Sequence, residues 1–136
     1  MRLQGDEPPG ATLLRRKPTD AELAILRVLW TRGPSTVRQV AEALGRDTGY
    51  TTALKLLQIM TDKALVSRDE SARTHVYEAA FSEDETQRHL IADLVDRAFD
   101  GSAAKLVLQA LAAKKATPAE LAAIRRMLDQ NKAGSK

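Results

Sequence analysis

Between residues 36 and 77 the apolar positions follow two different rhythms. Val37, Val40, Ala41 and Leu44 fall at i, i+3, i+4 and i+7, and Ala53, Leu56, Leu57 and Met60 repeat that spacing. Each set predicts an amphipathic helix with one buried face. Between them, Gly45-Arg46-Asp47-Thr48-Gly49 places two glycines among polar residues, which favours a turn over continued helix, so the chain changes direction there. After Lys63 the rhythm shortens. Leu65-Val66-Ser67-Arg68 and Thr74-His75-Val76-Tyr77-Glu78 read as strands joined through the charged turn Glu70-Ser71-Ala72-Arg73. His75 alternates with Tyr77 and Ala79, which predicts a half-buried strand residue rather than a ligand.

The flanks extend this pattern. Thr19-Asp20-Ala21-Glu22 is a capping box, in which the Thr19 hydroxyl and the Glu22 carboxylate satisfy the free amides of a helix start. Leu23, Leu26, Leu29 and Trp30 then form a wide apolar surface that ends at Gly33-Pro34. Trp30, the single tryptophan, is expected to pack this helix on its neighbours. Thr36 with Gln39 is a second capping box. The order helix, helix, turn, helix, strand, turn, strand predicts a winged helix-turn-helix: a mainly α fold with a small β-hairpin wing.

Beyond Ala80 the pattern is helical almost throughout. Ser82 and Glu85 form a third capping box, ahead of a helix carrying Leu90, Ile91, Leu94, Val95, Ala98 and Phe99 and closed by Asp100-Gly101. Leu106, Val107, Leu108 and Leu111 read as a short helix. Thr117-Pro118 starts a last one, with proline at the first helical position and Leu121, Ile124, Met127 and Leu128 on its apolar face. Helices this short bury too little surface to offset chain entropy alone. The expected solution is a homodimer through a C-terminal helical dimerisation region, with Leu90, Ile91, Leu94, Val95, Phe99, Leu106, Leu111, Leu121, Ile124 and Leu128 at a two-fold interface. An intramolecular bundle folding back on the winged helix is the competing arrangement.

The expected organisation is therefore an arm over residues 1–17, a winged-helix domain over 18–81, a helical dimerisation domain over 82–131 and a disordered tail over 132–136. The arm ends in Arg15-Arg16-Lys17, either a phosphate-touching segment or a solvated leader.

Candidate chemistry lies on the polar face of the second turn-flanking helix. Thr51, Lys55, Gln58 and Asp62 lie opposite its apolar stripe, with Thr52 beside them. Thr51, Thr52 and Lys55 can donate to base edges or phosphates, and Tyr50 at the helix entrance can do so while packing on a sugar or a thymine methyl. Asp62 repels phosphate, so the N-terminal half is the better candidate for groove entry. The plainer explanation of the same stripe is the solvated face of a surface helix. Thr36 and Arg38, with Arg68 and Arg73 near the wing tip, are the candidate phosphate contacts; two solvated arginines beside Asp69 and Glu70 are the simpler alternative for the wing.

Net charge is +3 and the isoelectric point about 9.4, as suits a nucleic-acid binder. Residues 18–81 nevertheless hold eight Lys and Arg against eight Asp and Glu. Cations must therefore gather on one face, with Asp20, Glu22 and Glu42 elsewhere. His75 and His89 fall in different predicted elements, there is no glycine-rich phosphate loop, and no nucleophile has an evident base, which argues against an enzyme. Absence of cysteine removes disulfides and thiolate metal sites; no cofactor and no metal are expected. No stretch reaches the roughly 18 to 20 apolar residues of a membrane span, and the N-terminus lacks an apolar signal core, so a cytoplasmic protein without membrane insertion is expected. The other functional class in contention is a winged-helix adaptor that binds protein rather than DNA.

Thr19-Asp20-Ala21-Glu22-Leu23-Ala24-Ile25-Leu26-Arg27-Val28-Leu29, Thr36-Val37-Arg38-Gln39-Val40, Tyr50-Thr51-Thr52-Ala53-Leu54-Lys55-Leu56-Leu57 and Arg73-Thr74-His75-Val76-Tyr77 together resemble the bacterial penicillinase-repressor family (BlaI/MecI/CopY type), from about residue 18 to about residue 130. The resemblance implies a homodimeric repressor of a β-lactam-resistance or related stress gene on a pseudo-palindromic DNA operator, with Tyr50, Thr51, Thr52 and Lys55 as base-reading residues. It also implies a membrane metalloprotease sensor as partner, acting near Gln109-Ala110, where some members carry Asn-Phe. Ile59 stands where many members have arginine, Ala64 where glycine usually precedes the wing, and His75 where an aromatic residue is common. The copper-responsive members carry C-terminal cysteines that this chain lacks.

Overall fold

The computed structural model describes residues 17–134. Its elements are α1 (Asp20–Arg32), β1 (Ser35–Thr36), α2 (Val37–Leu44), α3 (Tyr50–Asp62), β2 (Val66–Asp69), β3 (Val76–Ala79), α4 (Glu83–Ala98), α5 (Ala103–Ala113) and α6 (Pro118–Gly134). Of the arm predicted over residues 1–17, only Lys17 lies in this range, and its ammonium meets Asp93 at 2.6 Å. Helix α6 runs past the predicted end at 131 to Gly134, because no helix-breaking residue intervenes before that glycine. Residues 135 and 136 of the predicted tail lie outside the described range.

Local chemistry starts and stops the helices. The Thr19 hydroxyl accepts from the Glu22 amide at 3.2 Å while the Thr19 amide donates to Glu22 Oε1 at 2.9 Å, and Thr36 and Gln39 repeat both bonds on α2. Gly45 closes α2 at φ 99°, a left-handed backbone that side chains resist. Helix α3 ends in a Schellman motif without glycine. Ala64 takes the left-handed position at φ 63°, its amide donating to the Thr61 carbonyl at 3.0 Å and that of Leu65 to the Met60 carbonyl at 2.9 Å.

The apolar faces of these helices meet in one core. Ile25, Leu26 and Leu29 of α1, Val37 and Val40 of α2, and Ala53, Leu57 and Met60 of α3 are buried together with Leu65, Val66 and Tyr77 of the wing. Each large side chain removed from water in this way contributes about 1.5 to 3 kcal/mol. Trp30 is half-buried beside this cluster and donates from Nε1 to the Phe81 carbonyl at 2.9 Å, as its packing role requires. Glu22 is also buried, and both its oxygens take the Lys63 ammonium, at 2.9 and 3.0 Å. One carboxylate thus caps α1 and ties it to the end of α3.

The wing differs from expectation in three ways. It is a three-stranded antiparallel sheet in the order β1-β3-β2, with Ser35 opposite Tyr77 and Thr36 opposite Val76. A two-residue strand is too short to show a period in the sequence, and β1 doubles as the cap of α2. Pairing of β2 with β3 stops at Asp69 opposite Val76, so the connection is longer than Glu70 to Arg73. Asp69 Oδ1 accepts the Ser71 amide at 2.9 Å, a side-chain turn that competes with strand pairing. His75 consequently lies before β3 and is exposed; it is not the half-buried strand residue that alternation predicts.

Packing divides the chain into two compact units between Asp93 and Leu94, inside α4. In the second unit Ser102 caps α5 by accepting the Lys105 amide at 3.1 Å, and Thr117 and Glu120 form a capping box on α6. No side chain of α5 is buried.

Candidate nucleic-acid interface

Burying Ala53, Leu57 and Met60 turns the opposite side of α3 to solvent. Thr51, Thr52, Lys55 and Gln58 are exposed there, and Tyr50, at the first helical position, is 53% exposed. The helix is capped by Gly49, which has no side chain to bond the first amides. Those amides point the positive end of the helix dipole at whatever approaches, an arrangement that suits an anion.

Beside this helix start is a cleft of about 340 Å³, lined by Thr36, Val37, Arg38, Tyr50, Leu54, Arg73, Thr74, His75 and Tyr77. It joins the capped start of α2, the start of α3 and the wing. Four of the residues singled out from sequence converge there: Thr36, Arg38, Tyr50 and Arg73. Thr51, Thr52 and Lys55 occupy the exposed face of α3 outside the cleft lining. Thr74 and His75 also belong to the cleft; the sequence pattern places them in a strand, but that strand begins only at Val76.

Arg68 is engaged elsewhere. Its Nε and Nη2 lie 2.8 and 2.7 Å from Glu70 Oε2; hydrogen bonding to Tyr77 first, and to Glu70 second, holds the guanidinium charged above its ordinary range. Residues two apart on extended chain share a side, which is why the pair forms. A phosphate contact from Arg68 competes with Glu70.

Position separates part of the charge in residues 18–81. Glu22 is buried against Lys63 and Glu70 is paired with Arg68, while among the described residues no carboxylate lines the cleft. Arg38 and Arg73 are exposed in the cleft lining, and Lys55 is exposed on α3. Their field acts over about 8 to 10 Å at physiological salt.

In the residues expected at a dimer interface, Leu90, Val95, Phe99, Leu106 and Ile124 are half-buried, and Ile91, Leu94, Leu111, Leu121 and Leu128 are exposed. Leu108 and Met127, outside the expected set, are more exposed still, at 69% and 64%. Gln109 and Ala110 are exposed inside α5. Among the described residues no helix is long and apolar enough to cross a membrane.

Comparison with known proteins agrees with this architecture. The sequence model of the family described as penicillinase repressor matches residues 18–130. A protein named transcriptional regulator BlaI, from Mycobacterium tuberculosis strain CDC 1551 / Oshkosh, is 36% identical over 118 residues, which cover 85% of this chain and 85% of the relative. The protein of the same name from strain ATCC 25618 / H37Rv matches equally. With helices, wing and match all spanning the same stretch, the chain belongs to the penicillinase repressor family.

Proposed function

We propose that the protein is a DNA-binding transcriptional repressor that acts as a homodimer on a pseudo-palindromic operator. The observation that carries this reading is the joining of an exposed polar face on α3 to an acid-free cleft holding Arg38 and Arg73. Thr51, Thr52 and Lys55 read base edges in the major groove, with Tyr50 at the groove wall. Thr36, Arg38 and Arg73 fix the register through phosphates, and Arg68 joins them where DNA displaces Glu70. The dimer then occludes a promoter. The family supports a β-lactam-resistance or related stress gene as the target, and a DNA target fits a cytoplasmic location. A protease acting at Gln109-Ala110 must first unwind α5, since proteolysis selects exposed, irregular backbone.

The test is fluorescence anisotropy of the full chain against DNA from upstream of its own gene, with excess random competitor and a salt titration. Binding that survives competitor and weakens steeply with salt supports the repressor. Loss under competitor leaves only attraction of a basic protein to phosphate, and no binding at all favours the protein adaptor. Lys55→Ala is expected to weaken operator binding by about 1 to 3 kcal/mol without altering the oligomer; unchanged affinity would remove α3 as the reading surface.

A further inference from the structure

The cleft lining holds one imidazole. His75 lies exposed in its lining with Arg38, Tyr50, Arg73, Thr74 and Tyr77. The charged or titratable groups lining the cleft with it are two guanidiniums, from α2 and from the wing connection, and two phenols, from α3 and β3; the β3 phenol is in turn bonded to Arg68, which Glu70 neutralises. Of these side-chain types, the imidazole is the one that can take up a proton and become a cation under physiological conditions. Thr36 and Thr74 add neutral hydroxyl donors. A set of donors and cations from three elements without a carboxylate is matched to an anion with several oxygens, as a phosphate has.

We infer that the cleft seats one phosphodiester of the duplex backbone and that protonated His75 is one of its ligands, which makes DNA affinity rise as pH falls. The inference rests on the DNA-binding reading above and adds a proton to it. An imidazolium brings a third positive charge into a cleft that already holds two; a phosphate there offsets the repulsion. Proton uptake by His75 and phosphate uptake by the cleft therefore favour one another, and by linkage each strengthens the other equally. A phosphate contact carries no sequence information. The pH effect consequently acts alike on every duplex.

The experiment measures binding of the full chain to two labelled duplexes of equal length, one selected from upstream DNA and one of random sequence, at about pH 5.5 and about pH 8 over a range of salt. For the native chain, affinity for both duplexes is expected to rise about tenfold at the lower pH, as one unit of linked pKa change gives. The salt slope is expected to steepen by about one, as one more neutralised phosphate gives. His75→Gln should abolish both changes, and because His75 is exposed the variant should fold. His89→Gln is the control: His89 sits edge-on to Phe81, with ring centroids 6.4 Å apart, and is not in the cleft lining, so both changes should persist. Tight binding that is flat with pH, or a pH response that survives His75→Gln, would overturn the seat and leave the repressor intact. A response confined to the selected duplex would make His75 a base contact and also overturn it. Failure to bind either duplex at either pH would overturn both readings.

Discussion

Ala64 stands at φ 63° at the end of α3, in left-handed backbone that costs a residue with a side chain about 1 to 2 kcal/mol. The Schellman bonds of Ala64 and Leu65 hold it there. Ala64→Gly removes the strain at the cost of a more flexible unfolded chain, and we expect a net gain of about 1 kcal/mol, read as a higher urea midpoint at unchanged slope. An unmoved midpoint would mean that the left-handed turn is not populated. At the neighbouring residue, Lys63→Met takes the ammonium from the buried Glu22 carboxylate and leaves it the Thr19 amide. Because Lys63 itself is partly exposed, the loss should be moderate, about 2 kcal/mol. Adding Glu22→Gln should recover part of it, whereas strictly additive losses in the double-mutant cycle would rule out the coupling. Neither feature was legible in full. The capping box of Thr19 and Glu22 is written in the sequence, but the long-range partner of Glu22, 41 residues away, is set only by how α1 packs on α3.

Elements differ in how far local sequence determines them. The helices were legible, since apolar spacing, capping boxes and glycine stops all agree at α1, α2 and α4. The wing was half legible: β2 and β3 have β-prone residues, but β1 is two residues long and exists only through its pairing with β3. The same misjudged strand hid Thr74 and His75 from the candidate site, while Tyr50, Arg38 and Arg73 were found because helix starts and turn tips announce themselves. Helix α4 offers a pH test at this scale. The Ser82 amide and, after it, the Ser82 hydroxyl hold the Glu85 carboxyl below its ordinary 4.5. A carboxyl depressed in the fold contributes stability above its unfolded value, and that contribution disappears as pH falls through the folded one. The melting temperature should therefore decline below about pH 4.5, and Glu85→Gln should flatten part of that decline. Asp69, lowered by the Ser71 amide and hydroxyl, acts with the same sign, so the Glu85 variant should retain a residual slope. A decline identical in native and variant proteins would show that the cap does not couple to unfolding.

For the whole molecule, the apolar surface left on the C-terminal helices decides what assembly is needed. In the second unit Leu108, Met127 and Leu128 are 69%, 64% and 59% exposed, and Leu94 and Leu111 are exposed as well. Large apolar side chains exposed on a small unit suit an interaction surface, and every one that is covered contributes about 1.5 to 3 kcal/mol. In the proposed repressor a second copy covers it, which also supplies the two-fold symmetry that a pseudo-palindromic operator demands. Leu128→Asp places a charge in that interface while disturbing little in the single chain, because the residue is already in water. We expect the dimer dissociation constant to rise at least about 100-fold, near 3 kcal/mol, with helical circular dichroism unchanged. Leu94→Asp, on α4, should do the same. Because the second DNA contact becomes intramolecular only in a dimer, the variants should lose affinity for a full operator and keep it for a half-site. Variants that still sediment as dimers at micromolar concentration would place the interface elsewhere, and monomers that bind the full operator as tightly as the native chain would separate dimerisation from DNA recognition.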